Sequence, residues 1–167
     1  MRFQPSSATT GSRTTQFSRL SGAILVAIAV LAIPTCGYAS DDKPIDQESI
    51  AALEARIPQA QPREQCFLYA ELIHQMTEYS VKQYEAGDVE KTNALLNRIQ
   101  QVARKMHLSV AIKDKRLKNA EILLRRTAFR LGELLHSSTS DEQPMVKETL
   151  AQVSRAQNET MLEVFQK

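Results

Sequence analysis

Apolar residues in this chain recur at i, i+3, i+4 and i+7, the spacing of one buried helix face, over four long stretches and one short one. The strongest pattern runs from Lys113 to His136, where Leu117, Ala120, Leu123, Leu124, Thr127, Ala128, Leu131, Leu134 and Leu135 align on one side. It is the longest amphipathic helix the pattern predicts, and the rest of the chain is read around it. From Arg63 to Ala86, a step of ~100° per residue puts Leu68, Tyr69, Leu72, Ile73, Met76 and Tyr79 on one face. Glu64, Glu71, Glu78 and Glu85, seven residues apart each time, fall on the opposite one. Val89 to Met106 has a narrower seam of Leu95, Leu96, Ile99, Val102 and Met106. A last helix, ending near Phe165, turns Val146, Thr149, Leu150, Val153, Ala156, Thr160, Met161 and Val164 inward. A short helix carrying Ile50, Leu53 and Ile57 precedes all four.

The breaks between these stretches carry helix-end chemistry. Asp46 is placed as the N-cap of the short helix, Pro58 ends it, and Pro62 stands in the first turn of the next. Gly87 is suited to the C′ position and Asp88 to the following N-cap. His107 to Ile112 links onward, and Ser137 to Asp141 breaks the chain before Pro144. The fold expected is all-α: a four-helix up-down-up-down bundle over 63–167, with the short helix of a 40–62 linker segment packed across it. The turn Tyr84-Glu85-Ala86-Gly87-Asp88-Val89-Glu90-Lys91 resembles the inter-helix turn of tetratricopeptide repeats. One repeat period of about 34 residues beyond Gly87 stands Glu121, in mid-helix, so no array is expected and no peptide binding is carried over.

The first 39 residues read differently. Arg2, Arg13 and Arg19 come without an acidic residue, Leu20 to Ile33 is uncharged and apolar, Pro34 breaks the run, and Gly37-Tyr38-Ala39 offers small residues before a cut after Ala39. That pattern is a secretory signal peptide, which implies a bacterial protein exported to the periplasm or beyond. The apolar run would span only about 21 Å at ~1.5 Å per residue, short of a hydrocarbon core of ~30 Å, so no stable transmembrane anchor is expected after cleavage. Ile33-Pro34-Thr35-Cys36 also resembles a bacterial lipoprotein box, which would imply a lipid on Cys36; its Pro and Thr depart from the usual small-residue pattern. Removal of the leader would leave Cys66 as the lone thiol. In an oxidising compartment such a thiol either joins two chains into a homodimer or sits buried as a small hydrophobe, and its place at the edge of an apolar helix face favours burial.

Composition narrows the chemistry. The 167 residues suit one domain plus an export segment. Five glycines, three of them at or before Gly37, and no tryptophan leave no glycine-rich loop to cradle a phosphate or an oxyanion, so neither a cofactor nor a catalytic residue is expected. Without Arg2, Arg13 and Arg19 the chain carries 18 basic against 19 acidic residues, a balance that implies no polyanion partner for the whole. Glu71-Leu72-Ile73-His74 and Glu133-Leu134-Leu135-His136 have the Glu-x-x-His spacing of carboxylate-bridged di-iron bundles, and so resemble ferritin-like sites. Both glutamates fall on the polar side of their helices and the histidines at different levels, so no metal site is expected. A metal or redox bundle is kept as the alternative class, and a self-associating structural component as a third.

Charge is distributed unevenly. From Arg98 to Arg130, ten basic residues face only Asp114 and Glu121, a net +8. On the central helix Lys115, Lys118, Arg125 and Arg126 share a face with Ile122 and Phe129. Lys118, Ile122, Arg125, Arg126 and Phe129 are the candidate binding residues for an anionic envelope component or an acidic protein. Nucleic acid is excluded as a partner by the export signal and by the lack of interleaved aromatics. The competing reading is internal: the acidic stripe from Glu64 to Glu85 lies alongside the basic helix, and the first short helix covers Ile122 and Phe129. The function expected is that of an exported, non-catalytic protein that acts by binding.

Overall fold

Asp46 and Ser49 open the described structure with a capping box, each side chain bonded to the other's backbone N–H, at 2.8 and 3.1 Å. The computed structural model describes residues 45–107 and 116–165. Its helices are α1 (Gln47–Arg56), followed by one 3₁₀ turn at Ile57–Gln59, then α2 (Pro62–Glu85), α3 (Val89–His107), α4 (Leu117–Ser137) and α5 (Gln143–Phe165). The described part is all-helical, five helices packed together with no strand. No described helix is long and apolar enough to cross a membrane. The leader, Cys36 and the stretch 108–115 lie outside the described residues.

The helix ends follow the sequence chemistry closely. Pro62 takes the first position of α2, where a missing N–H costs nothing. Gly87, at φ +79°, closes α2 as a Schellman turn: its N–H donates to Tyr84 O, and that of Asp88 to Gln83 O. Asp88 then caps α3 by accepting from the Lys91 N–H at 3.0 Å. The described part of the central helix starts at Leu117 and has 21 residues, the predicted start at Lys113 lying outside the described residues; α2, at 24, is the longest described helix.

Contacts fix the directions. His74 meets Thr127, Glu78 meets Arg130 and Tyr84 meets Ser137, positions that rise together, so α2 and α4 run parallel. Gln157 on α5 reaches Glu121 near the start of α4, which makes that pair antiparallel. Gln100 of α3 donates to Thr149 Oγ1 of α5 at 3.0 Å. The packed pairs are thus α2 with α3, α4 with α5, α2 with α4, and α3 with α5; α3 and α4, consecutive in the chain, share no contact among the described residues.

The core is drawn from the predicted apolar set, of which Tyr69, Tyr79, Leu123, Leu150, Met161 and Val164 are only half-buried. Leu68, Leu72, Ile73 and Met76 of α2 meet Leu96, Ile99 and Met106 of α3, Leu124 and Leu131 of α4, and Val146 and Val153 of α5, all at most 2 % exposed. Ile50, Leu53 and Ile57 are enclosed as well, so α1 is part of this core and no mere tether. Buried hydroxyls are absorbed locally: those of Thr77, Thr127, Thr149 and Thr160 donate to the carbonyl four residues earlier. Cys66 is completely enclosed, which puts its sulfur out of reach of a second chain while the protein stays folded.

Candidate basic face of α4

Because α4 is packed by α2 and by α5, its buried residues form one stripe along the helix. Leu124, Thr127 and Leu131 point to the core, and steps of ~100° then carry Lys118, Ile122, Arg125 and Phe129 to the opposite side. Lys118, Arg125 and Arg126 are exposed, Ile122 is half-buried, and the Phe129 ring is 70 % exposed. Among the described residues α1 does not cover Phe129: it packs on α2 and makes no contact with α4. The predicted five therefore stand together on the surface.

The acidic stripe does lie alongside α4, but it engages a different arginine. Arg130 reaches Glu133 at 2.9 Å, Glu78 at 3.5 Å and Glu85 at 4.0 Å, tying α4 to α2. Arg98 is likewise taken up, by Glu54 of α1. Arg116 lies 5.1 Å over the Phe67 ring. Arg125 has only a loose contact with Glu121, at 3.8 Å, with its own side chain 65 % exposed. Lys118 and Arg126 form no ion pair among the described residues. Internal compensation accounts for the two ends of the basic run and leaves the outer face of α4 charged.

The Glu-x-x-His pairs are not brought together. In the parallel register His74 stands level with Thr127, so His136 lies nine residues further on, about 14 Å along the axis at ~1.5 Å per residue. Glu133 is held by Arg130, and Glu71 borders a groove of about 300 Å³ between α1 and α2. No group of three or more His, Cys, Asp or Glu residues suited to a metal exists among the described residues.

His74 has a separate role between α2 and α4. Thr127 Oγ1 already donates to Leu123 O at 2.8 Å, so His74 Nδ1, 3.1 Å away, is the donor to that oxygen, and the neutral ring carries its proton there. Burial is the main force holding this imidazole below its usual range; Glu78 opposes it, Arg126 adds to the lowering and Glu71 opposes. The unfolded chain therefore takes up a proton near pH 6.5 while the folded one resists until lower pH. Stability is whole above about pH 6.5 and declines as the pH falls toward the folded pKa. Urea midpoints should fall between about pH 7.5 and 5.5 in the wild type and fall less in His74→Gln. Equal falls in both proteins would contradict this assignment.

One contact and one exposed pair were not singled out from the sequence. Arg130 as the hub between helices had only its i+3 partner Glu133 as a signal. Leu162 and Phe165, 56 % and 75 % exposed, sit on the outer side of α5, a position that the inward run through Val164 already implies. Compared with known proteins, the chain matches no family model, and no curated protein or solved structure shows significant similarity to it.

Proposed function

We propose that this chain is an exported, non-catalytic helical bundle that acts by binding an anionic envelope component or an acidic protein through the outer face of α4. In this reading residues 1–39 are the signal peptide. Residues 63–167 form an up-down four-helix bundle, with the short helix of the 40–62 segment seated on it. One observation carries the reading: Arg125 and Arg126 stand exposed beside Phe129, with Lys118 exposed further along the same face of α4, while Arg130 of α4 and Arg98 of α3 are taken up by internal carboxylates. An arginine offers two parallel hydrogen bonds to a carboxylate or phosphate, and an exposed ring beside it supplies apolar contact. The expected result is capture of an envelope component that weakens with salt, because exposed charge contacts are screened. Arg125→Glu with Arg126→Glu should lose that capture with unchanged helical circular dichroism, since neither side chain supports the core. Undiminished capture by the double variant would refute the surface.

A further inference from the structure

Three features of the α4 face bear on what kind of anion it meets. Its five residues lie on the outward ridge of a single helix, and neither of the grooves bordered by α1, about 160 and 300 Å³, has an α4 residue in its wall. One member is an aromatic ring, 70 % exposed, placed three and four residues after Arg126 and Arg125, so that it stands beside both cations on the helix surface. Those cations are not held. Arg126 and Lys118 have no ion-pair partner among the described residues, and Arg125 has only the 3.8 Å contact.

A stereospecific site for an acidic peptide would need guanidinium groups fixed by neighbours and a concave wall to enclose the segment. A ridge with an outstanding ring and unanchored cations has the opposite character. It suits a planar, fluid array of phosphates, where a ring can enter the headgroup layer and each cation can find a lipid of its own. We infer that the outer face of α4 docks on an anionic phospholipid bilayer, with Phe129 entering the headgroup layer and Lys118, Arg125 and Arg126 meeting lipid phosphates. This rests on the binding-face reading above and names its partner.

The chain contains no tryptophan, so Phe129→Trp places a single reporter at the contact point. The side chain replaced is exposed, so folding is not at stake. The full chain carrying this change is titrated with phosphatidylglycerol-containing vesicles and with neutral phosphatidylcholine vesicles. The expected result is a blue-shifted, brighter emission on anionic vesicles only, reversed at about 0.5 M salt. Adding Arg125→Glu and Arg126→Glu should lower the partition coefficient by about thirtyfold, taking each lost cation as about fivefold. Lys118→Glu alone should lower it by about fivefold, an independent check if the double variant is poorly folded. Every protein compared has the same first 39 residues, so a difference between variants reports on the α4 face and not on the leader. An emission that stays at the water-exposed position on anionic vesicles overturns the lipid assignment, as does an equal shift on both vesicle types. Polyglutamate in place of vesicles separates the two levels. A response to it without one to vesicles removes the lipid and keeps the binding face, and silence with both removes both.

Discussion

Leu124→Ala is expected to destabilise the protein by about 3 kcal/mol, within the ~2–5 kcal/mol that large-to-alanine core changes cost. Leu124 is completely buried between the helices, and truncation removes apolar contact and leaves a cavity that the packed neighbours fill only in part. Against a total stability of roughly 5–15 kcal/mol, that loss is visible as a clear shift in the urea midpoint. Phe129→Ala, five residues along the same helix, should change the midpoint by less than about 0.5 kcal/mol, because its ring is already 70 % in water. The pair tests how α4 is turned. A large cost at Phe129 or a negligible one at Leu124 would mean that the helix presents a different face to the core, and the basic surface would fall with it.

The second large effect concerns α1. Ile50→Ala with Leu53→Ala should cost about 4 kcal/mol, each side chain being enclosed to within a few per cent and each truncation lying near the lower end of the usual range. Two buried neighbours on one short helix share a cavity, so the sum is an approximation to their joint effect. The loss should appear in one cooperative transition for the whole protein, because Ile50, Leu53 and Ile57 belong to the same apolar cluster as α2 and α3. If 47–59 were only a tether, the same substitutions would leave the midpoint unchanged.

How far the sequence can be read depends on the range of the interaction concerned. Helix ends were legible because their chemistry is local: the Asp46 cap, Pro62, Gly87 and Asp88 act within a few residues of themselves, and the structure adds the reciprocal bond to Ser49. The buried faces were legible for the same reason, since a ~3.6-residue period marks one side of a helix whatever packs on it. The five surface residues of α4 follow from that period as well, because the side opposite Leu124 and Leu131 can be counted along the chain. The position of the acidic stripe was only half legible. Its periodicity on α2 is plain, but the residue that it meets depends on the register between two helices.

What the sequence by itself determined, then, is the set of helices, their caps and their inward faces, each of which rests on contacts or torsions between residues close in the chain. The tertiary structure decided which helices are neighbours. It placed α4 parallel to α2 with His74 beside Thr127, and gave the acidic stripe to Arg130. It also seated α1 on α2 and away from Phe129. A helical period specifies that a face is buried and is silent on what buries it, because many apolar surfaces can serve. Register and partner choice come from interdigitation of side chains far apart in sequence, and that same choice left the ring of Phe129 and its three cations facing solvent.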